Sequence, residues 1–148
     1  MSSYGDIYVI DNNALTFLGP AHRAGTFFKQ HCRIPSEVLH EAEGFPDIEE
    51  LRQLEYRTTP NVLAALVEVM ASVPPEDRKL VDLYANLGNA DPLVVACALN
   101  GQQRDDEGAL FSLTWTVVSG DKAVQATARR FGLPVLTNEE FLVLLKDG

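Results

Sequence analysis

Four acidic residues occupy positions from which an α/β chain could bring their carboxylates together: Asp11, Glu41, Asp91 and Asp121. Converging carboxylates repel one another, so they need cations between them to stay ionised at neutral pH. Their oxygens suit Mg²⁺ or Mn²⁺, whereas Zn²⁺ prefers the nitrogen and sulfur of His and Cys. The three histidines show no paired spacing typical of metal ligands. A cation held by carboxylates can activate a water molecule and neutralise charge on a phosphodiester under in-line attack.

Hydrophobic patterning predicts the elements that would position these acids. Apolar, β-branched runs indicate strands at residues 7–11, 33–34, 113–119 and 133–136. Helical spacing and capping signals indicate helices at residues 14–18, 24–31, 35–43, 48–54, 61–70, 74–88, 92–99, 122–131 and 138–146. Asn61 and Asn138 are the predicted caps of two of these helices. Residues 101–108 are polar and acidic, and we expect a surface loop there.

Strands that alternate with helices predict an α/β fold with a parallel sheet covered on both faces. We expect one domain over residues 1–148, with the helices of mid-chain inserted beside the sheet. Ligands of such sheets bind beyond the carboxyl ends of the strands. Asp11 ends the first strand and Asp121 follows the strand at 113–119. Asp91 begins a buried helix and Glu41 lies on the helix after the second strand, so all four could face one crevice.

Each acid also has a purely structural explanation. Asp91 before Pro92 has the sequence of a helix N-cap, and Asp11 and Asp121 also stand where caps or turns are expected. Glu41 could lie on a solvated helix face. The spacing of the acids alone leaves capping and metal binding equally open.

Composition narrows the classes of function. The net charge of −9 argues against a broad basic surface for nucleic acid, and it suits a basic protein partner. No apolar run approaches the ~20 residues that span a bilayer. The first residues lack the pattern of a signal peptide, and Cys97, one of two cysteines, falls in an apolar helical run typical of a buried reduced thiol. We therefore expect a cytoplasmic protein that does not enter membranes.

Four segments of the chain resemble, in order, the motifs of the PIN-domain family, in particular its VapC-type toxin ribonucleases. The segments are YVIDNNAL at 8–15, IPSEVLHE at 34–41, ADPLVVACAL at 90–99 and VVSGDKA at 117–123. FGLPVLT at 131–137 is also similar to the last strand of the family. This resemblance implies a three-layer PIN-like fold with a mostly parallel central sheet flanked by helices.

The resemblance also implies roles for individual residues. Asp11, Glu41, Asp91 and Asp121 would be the catalytic metal ligands, with Asn13 and Ser119 assisting by hydrogen bonds. Glu37 competes for the glutamate role because it shares a helix face with Glu41; Glu41 is preferred since it follows an apolar pair of residues. The cations that could hold RNA phosphates are Lys122, Arg129 and Arg130, with Arg23 and Arg33 as further candidates.

The function implied by the resemblance is a Mg²⁺- or Mn²⁺-dependent endoribonuclease that hydrolyses RNA phosphodiester bonds. It could be the toxin of a type II toxin–antitoxin pair, with an antitoxin protein and a second copy of itself as partners. The alternative is a PIN-fold module that binds RNA or protein without significant catalysis. A phosphorylatable receiver domain fits less well, because its acceptor Asp would follow a central strand where residues 61–87 are predicted to be helical. A haloacid-dehalogenase-like phosphatase needs Asp-x-Asp after the first strand, and Asp11-Asn12-Asn13 departs from that pattern.

Overall fold

The computed structural model describes residues 5–72, 91–108 and 113–147. Within them, five parallel strands form one sheet in the order β3-β2-β1-β4-β5. The strands are β1 (Asp6–Ile10), β2 (Cys32–Pro35), β3 (Glu55–Tyr56), β4 (Thr114–Val118) and β5 (Val135–Leu136). The predicted α/β class and parallel sheet are therefore confirmed.

Helices cover both faces of this sheet. Those of the described residues are α1 (Asn12–Arg23), α2 (Thr26–His31), α3 (Ser36–Glu41), α4 (Ile48–Arg52), α5 (Pro60–Ala71), α6 (Asp91–Gly108), α7 (Lys122–Arg130) and α8 (Asn138–Asp147). On one face, Tyr8 of β1 packs against Phe27 of α2 and Phe141 of α8. On the other, α6 lies across β4, β1 and β2 and contacts α5 and α7. The result is a three-layer architecture, consistent with the PIN-like arrangement.

The first helix follows β1 directly. Gly19 interrupts α1 with φ 78° and ψ 164°, a left-handed conformation that glycine adopts without steric cost. The helix predicted at residues 14–18 is thus part of a longer one, because the chain resumes helical geometry after the kink at Gly19 and continues to Arg23. The Arg23 side chain is buried, donating to both carboxylate oxygens of Asp47 at 2.9 and 2.8 Å and to the Leu15 carbonyl at 2.6 Å. These contacts fasten the end of α1 to the loop before α4.

The prediction of a surface loop at residues 101–108 is wrong, since α6 continues to Gly108. The polar side chains of this stretch bind the sheet as well as facing solvent. Gln102 donates to the Leu113 carbonyl at 2.8 Å and accepts from the Trp115 backbone N–H at 2.9 Å. Asp105 accepts from the Trp115 indole N–H at 2.6 Å. These tertiary contacts favour helix over loop, and no local pattern signals them.

Two predicted helix caps are also wrong. Thr59, and not Asn61, caps α5 through its hydroxyl, with a proline following in the first turn. Thr137, and not Asn138, caps α8: its hydroxyl accepts from the Glu140 N–H at 3.1 Å, and the Glu140 carboxylate accepts from the Thr137 N–H at 2.8 Å. This reciprocal pair is a capping box, which leaves the Asn138 side chain available for other contacts.

The apolar helix predicted at residues 92–99 lies inside α6, with residues 93–99 all buried. Both cysteines are buried free thiols, and burial raises the pKa of Cys97 to about 12 and that of Cys32 well above its usual value. The helix predicted at 74–88 lies outside the described residues. Within the part that is described, no helix has the length and apolar character needed to cross a membrane.

Candidate functional site

The side of the sheet on which successive strands are added changes between β1 and β4. From β1 the chain adds β2 and β3 on one side, and later it adds β4 and β5 on the other. Open α/β sheets bind their ligands at such a switch point, at the carboxyl ends of the two central strands, and we call this region the crevice. Ile10 is paired with Val118, and the Asp11 N–H donates to the Val118 carbonyl at 3.3 Å. Asp11 and the segment after β4 therefore meet in this crevice.

Asp11 is the first acid of the crevice and is buried, at 1% exposure. Its Oδ1 accepts a hydrogen bond from the Ala14 N–H at 3.0 Å, so the side chain caps α1. The capping role considered from sequence is real. It also fixes the carboxylate at the positive end of a helix, which favours negative charge there.

Asp121 has a matching role at the next strand. Its Oδ1 accepts from the N–H groups of Ala123 at 2.8 Å and Val124 at 3.3 Å, and thereby caps α7. Its own N–H donates to the hydroxyl of Ser119, which is fully buried. Gln125 in turn donates to the Ser119 carbonyl at 2.7 Å. The hydroxyl of Ser119 and the side-chain amide of Gln125 thus fix the turn between β4 and α7 by hydrogen bonds.

Asn13 connects three segments that are distant in sequence. Its Oδ1 accepts from the Gly120 N–H at 3.2 Å and from the Asn138 Nδ2 at 3.4 Å. A Cβ on Gly120 would lie 2.7 Å from that Nδ2, so a side chain here would force the Asn138 amide to move from its present position. The starts of α1 and α8 and the turn after β4 therefore form one polar cluster at the crevice.

Asn138 is a crevice residue that the sequence analysis did not identify as part of the site. The available signal is its place just beyond the last predicted strand, where the sequence predicts only a helix cap. Its Oδ1 and the Oδ1 of Asn12 are buried and accept no hydrogen bond from the described residues. Buried acceptors are normally satisfied, so these two oxygens suit a water molecule or a hard cation.

The two candidate glutamates lie on α3, which starts at the carboxyl end of β2 and contacts α1. Both Glu37 and Glu41 are exposed. Ser36 belongs to the flank of α3 that faces β3, because its hydroxyl donates to the Glu55 carboxylate at 2.7 Å. At about 100° per residue, Glu41 lies about 140° from Ser36, on the flank away from β3. Glu37 lies one turn earlier on that flank, so the choice between the two stays open.

Asp91 is the first residue of α6, and its side chain is not among those that the structure describes. Among the described side chains, no group of three or more His, Cys, Asp or Glu is placed to hold a metal ion. The described oxygen ligands at the crevice are the carboxylates of Asp11 and Asp121 and the amide oxygen of Asn138, and the buried amide oxygen of Asn12 belongs to the residue after Asp11. This all-oxygen set has the chemistry that Mg²⁺ or Mn²⁺ requires and lacks the ligands that Zn²⁺ prefers.

The candidate RNA-binding cations occupy different parts of the molecule. Lys122 is exposed at the start of α7, next to Asp121. Arg129 and Arg130 are exposed at the far end of that helix, about 12 Å away by helical rise. Arg130 donates to the Ser72 carbonyl at 3.3 Å. Arg23 is buried against Asp47, so it is not positioned to contact a phosphate.

Comparison with known proteins gives no family assignment. No protein-family model matches this sequence, and no curated protein matches it significantly. The functional interpretation therefore depends on the sequence motifs and on the geometry of the crevice.

Proposed function

We propose that this protein is a Mg²⁺- or Mn²⁺-dependent endoribonuclease of the PIN type, acting on RNA phosphodiester bonds. The observation that carries the proposal is the position of Asp11 and Asp121 after neighbouring parallel strands at the switch point of the sheet. Asn13 spans the crevice between them through its contact with Gly120, 107 residues further along the chain. Helix capping alone would account for an aspartate at each position. It does not require the two capping aspartates to follow neighbouring strands at the switch point of the sheet.

In this proposal Asp11 and Asp121 bind the cation, with Asp91 and either Glu41 or Glu37 completing the ligand set. A bound cation supplies an activated water and neutralises charge on the phosphodiester. The backbone N–H groups that bind each Oδ1 hold the two carboxylates in fixed orientations before the cation arrives. A site organised in advance avoids the free-energy cost of reorganisation when substrate binds.

Ser119, Asn13 and Gly120 have a positioning role in this proposal. The Ser119 hydroxyl accepts from the Asp121 N–H, and Asn13 accepts from Gly120, so both fix the turn that carries Asp121. Lys122 follows that acid directly and is exposed, which suits a contact with an RNA phosphate. A cognate antitoxin, a homodimer and a cytoplasmic location are further proposals that follow from the resemblance to VapC-type toxins.

The test is cleavage of a mixed cellular RNA pool by the purified protein with Mn²⁺ or Mg²⁺. We expect discrete products that disappear with EDTA and with the Asp11→Asn and Asp91→Asn variants. Asp147→Asn is the matched control, because this exposed acid lies at the far end of α8 from the crevice; it should cleave like the wild type. Cleavage that persists in EDTA, or in folded Asp11→Asn protein, would refute the proposal.

A second candidate is a PIN-fold module that binds RNA or protein without significant catalysis. The observation in its favour is that both crevice acids already have a structural role, since Asp11 caps α1 and Asp121 caps α7. It differs from the nuclease in one measurable respect. Wild-type protein would bind a labelled RNA and leave that RNA intact at every concentration of Mn²⁺, even where the ion itself is bound.

A further inference from the structure

A second polar cavity, of about 380 Å³, opens on the α6 face of the sheet toward the β3 edge. Its floor is apolar and includes Ile7 and the buried rings of Tyr56 and Trp115. The cavity shares no lining residue with the crevice that holds Asp11 and Asp121. Its volume is in the range of pockets that bind small organic molecules, about 300–1,000 Å³.

Three arginines line this cavity: Arg33, Arg57 and Arg104. None of them forms a salt bridge with a carboxylate of the described residues, whereas Arg23 and Arg52 do. The chain as a whole carries a net charge of −9, so a cluster of guanidinium groups without carboxylate partners is opposite in sign to the rest of the molecule. The positive charge of this cavity is therefore available to an anion.

Two acids are also among the described residues that line the cavity, and each of them already accepts a hydrogen bond. Glu55 accepts from the Ser36 hydroxyl at 2.7 Å, and Asp105 accepts from the Trp115 indole N–H at 2.6 Å. With these two carboxylates counted at full charge, the described residues of the lining still carry a net charge of +1 (three arginines less two acids). An anion that enters would meet the guanidinium groups without displacing an ion pair.

The floor of the cavity is held rigidly. The Tyr56 hydroxyl donates to the Asn100 side chain at 2.6 Å, and the Tyr56 and Trp115 rings pack edge to face with centroids 5.4 Å apart. The Arg104 guanidinium lies over the Tyr56 ring, 5.6 Å from its centroid. Stacking of this kind restricts where a long arginine side chain can go and leaves its N–H donors usable.

We propose that this cavity, the arginine pocket, binds the phosphate group of a nucleotide. Guanidinium groups bind phosphate oxygens through paired, charge-assisted hydrogen bonds, and three of them around one opening can enclose a dianion. The apolar floor accommodates the rest of such a ligand. The nucleotide is either free or part of an RNA strand, and both sources present the same phosphate chemistry to the pocket. The pocket does not depend on the nuclease proposal, because it contains none of the proposed metal ligands.

The single tryptophan of the chain, Trp115, is a built-in reporter for this test. Titrations of its fluorescence, and of its indole N–H signal by NMR, would use inorganic phosphate, adenosine monophosphate and a short single-stranded RNA. EDTA in every sample prevents metal-dependent cleavage. The variant is Arg57→Gln with Arg104→Gln, two exposed positions, and the matched control is Arg52→Gln, which removes an exposed arginine outside the pocket. Thermal unfolding checks that all the variants are folded.

We expect wild-type protein and the control to bind at least one probe, and the double variant to bind it at least about tenfold more weakly, since one charged hydrogen bond contributes about that factor. Binding of the mononucleotide would identify a free nucleotide as the source. Binding of RNA alone, with an affinity that falls as salt rises, would identify a strand. Failure of all three probes to bind, or equal binding by the folded double variant, would overturn the proposal.

Discussion

Substitution of Asp121 separates the two roles that its carboxylate can have. As the cap of α7, Oδ1 accepts two backbone N–H groups, and loss of such a cap to alanine costs about 1–2 kcal/mol of unfolding free energy. Asparagine caps helices about as well as aspartate. Asp121→Ala should therefore destabilise the protein and Asp121→Asn should not. In a chain of 148 residues, the alanine variant should melt about 3–6 °C lower in EDTA.

Addition of Mn²⁺ tests the second role. If the crevice binds the ion, a concentration of about 100 times Kd stabilises the folded state by about 2.7 kcal/mol, which raises the melting temperature by about 8 °C. Both variants of Asp121 should lose most of this increase, since neither supplies the negative charge. The assay is thermal unfolding followed by circular dichroism, in EDTA and over a Mn²⁺ titration, with Asp147→Asn as the control for an acid outside the crevice.

Two results would refute this reasoning about Asp121. An Asp121→Asn protein that gains the full Mn²⁺ stabilisation would show that the residue is a cap and not a metal ligand. An Asp121→Asn protein that melts as low in EDTA as Asp121→Ala would show that the carboxylate stabilises the fold by something other than capping.

Three further predictions concern the framework of the fold. Hydrogen bonds from Arg23 lower the pKa of Asp47 from its ordinary 3.8, so this pair stabilises the protein above that pH and the stabilisation is lost as pH falls through the lowered pKa. Asp47→Asn should cost about 3 kcal/mol at neutral pH, because the guanidinium stays buried, and its melting curve should approach that of wild type in acid. Gly101→Ala places a Cβ 2.5 Å from the tryptophan ring and should destabilise by about 1–3 kcal/mol in urea titrations, whereas Gly108→Ala, with no described atom within 4 Å, should not. The raised pKa of Cys97, about 12, and its burial predict that a thiol reagent at pH 8 modifies neither cysteine until the protein is unfolded.

The sheet and its buried helix could be predicted because their signals are local. The runs at residues 7–11 and 113–119 are rich in β-branched and aromatic residues, which is typical of strands, and they became β1 and β4. The apolar stretch of residues 93–99 became the buried part of α6. In each case the residue types alone determine the element, since no distant partner is needed to specify it.

The errors fall where distant contacts decide the structure. Residues 101–108 are helical because Gln102 and Asp105 bind the backbone and indole of Trp115. The strand β3 is only two residues long and exists through its pairing with β2, so it has no periodicity of its own to detect. The error at the start of α8 has a local cause instead, because the capping-box pattern of Thr137 and Glu140 competes with Asn138 as the cap.

The candidate site, like the fold, was predictable where its signals are local and not where distant contacts form it. Strand ends identified Asp11 and Asp121, and the structure places these two after the neighbouring parallel strands β1 and β4. The contacts of Asn13 with Gly120 and Asn138 span 107 and 125 residues, so no local pattern could reveal them. The arginine pocket was missed for the same reason, since its three cations are scattered between residues 33 and 104.

The most direct measurement of the central claim is localisation of Mn²⁺ by NMR. The paramagnetic ion broadens the signals of nearby amides, and substoichiometric Mn²⁺ should first broaden those of Ala14 and Ala123, which donate to the two crevice carboxylates. The amide of Thr114, at the opposite end of β4, should broaden later, and Asp11→Asn should abolish the pattern. Early broadening elsewhere in the protein, or an unchanged pattern in folded Asp11→Asn, would contradict a metal centre between Asp11 and Asp121.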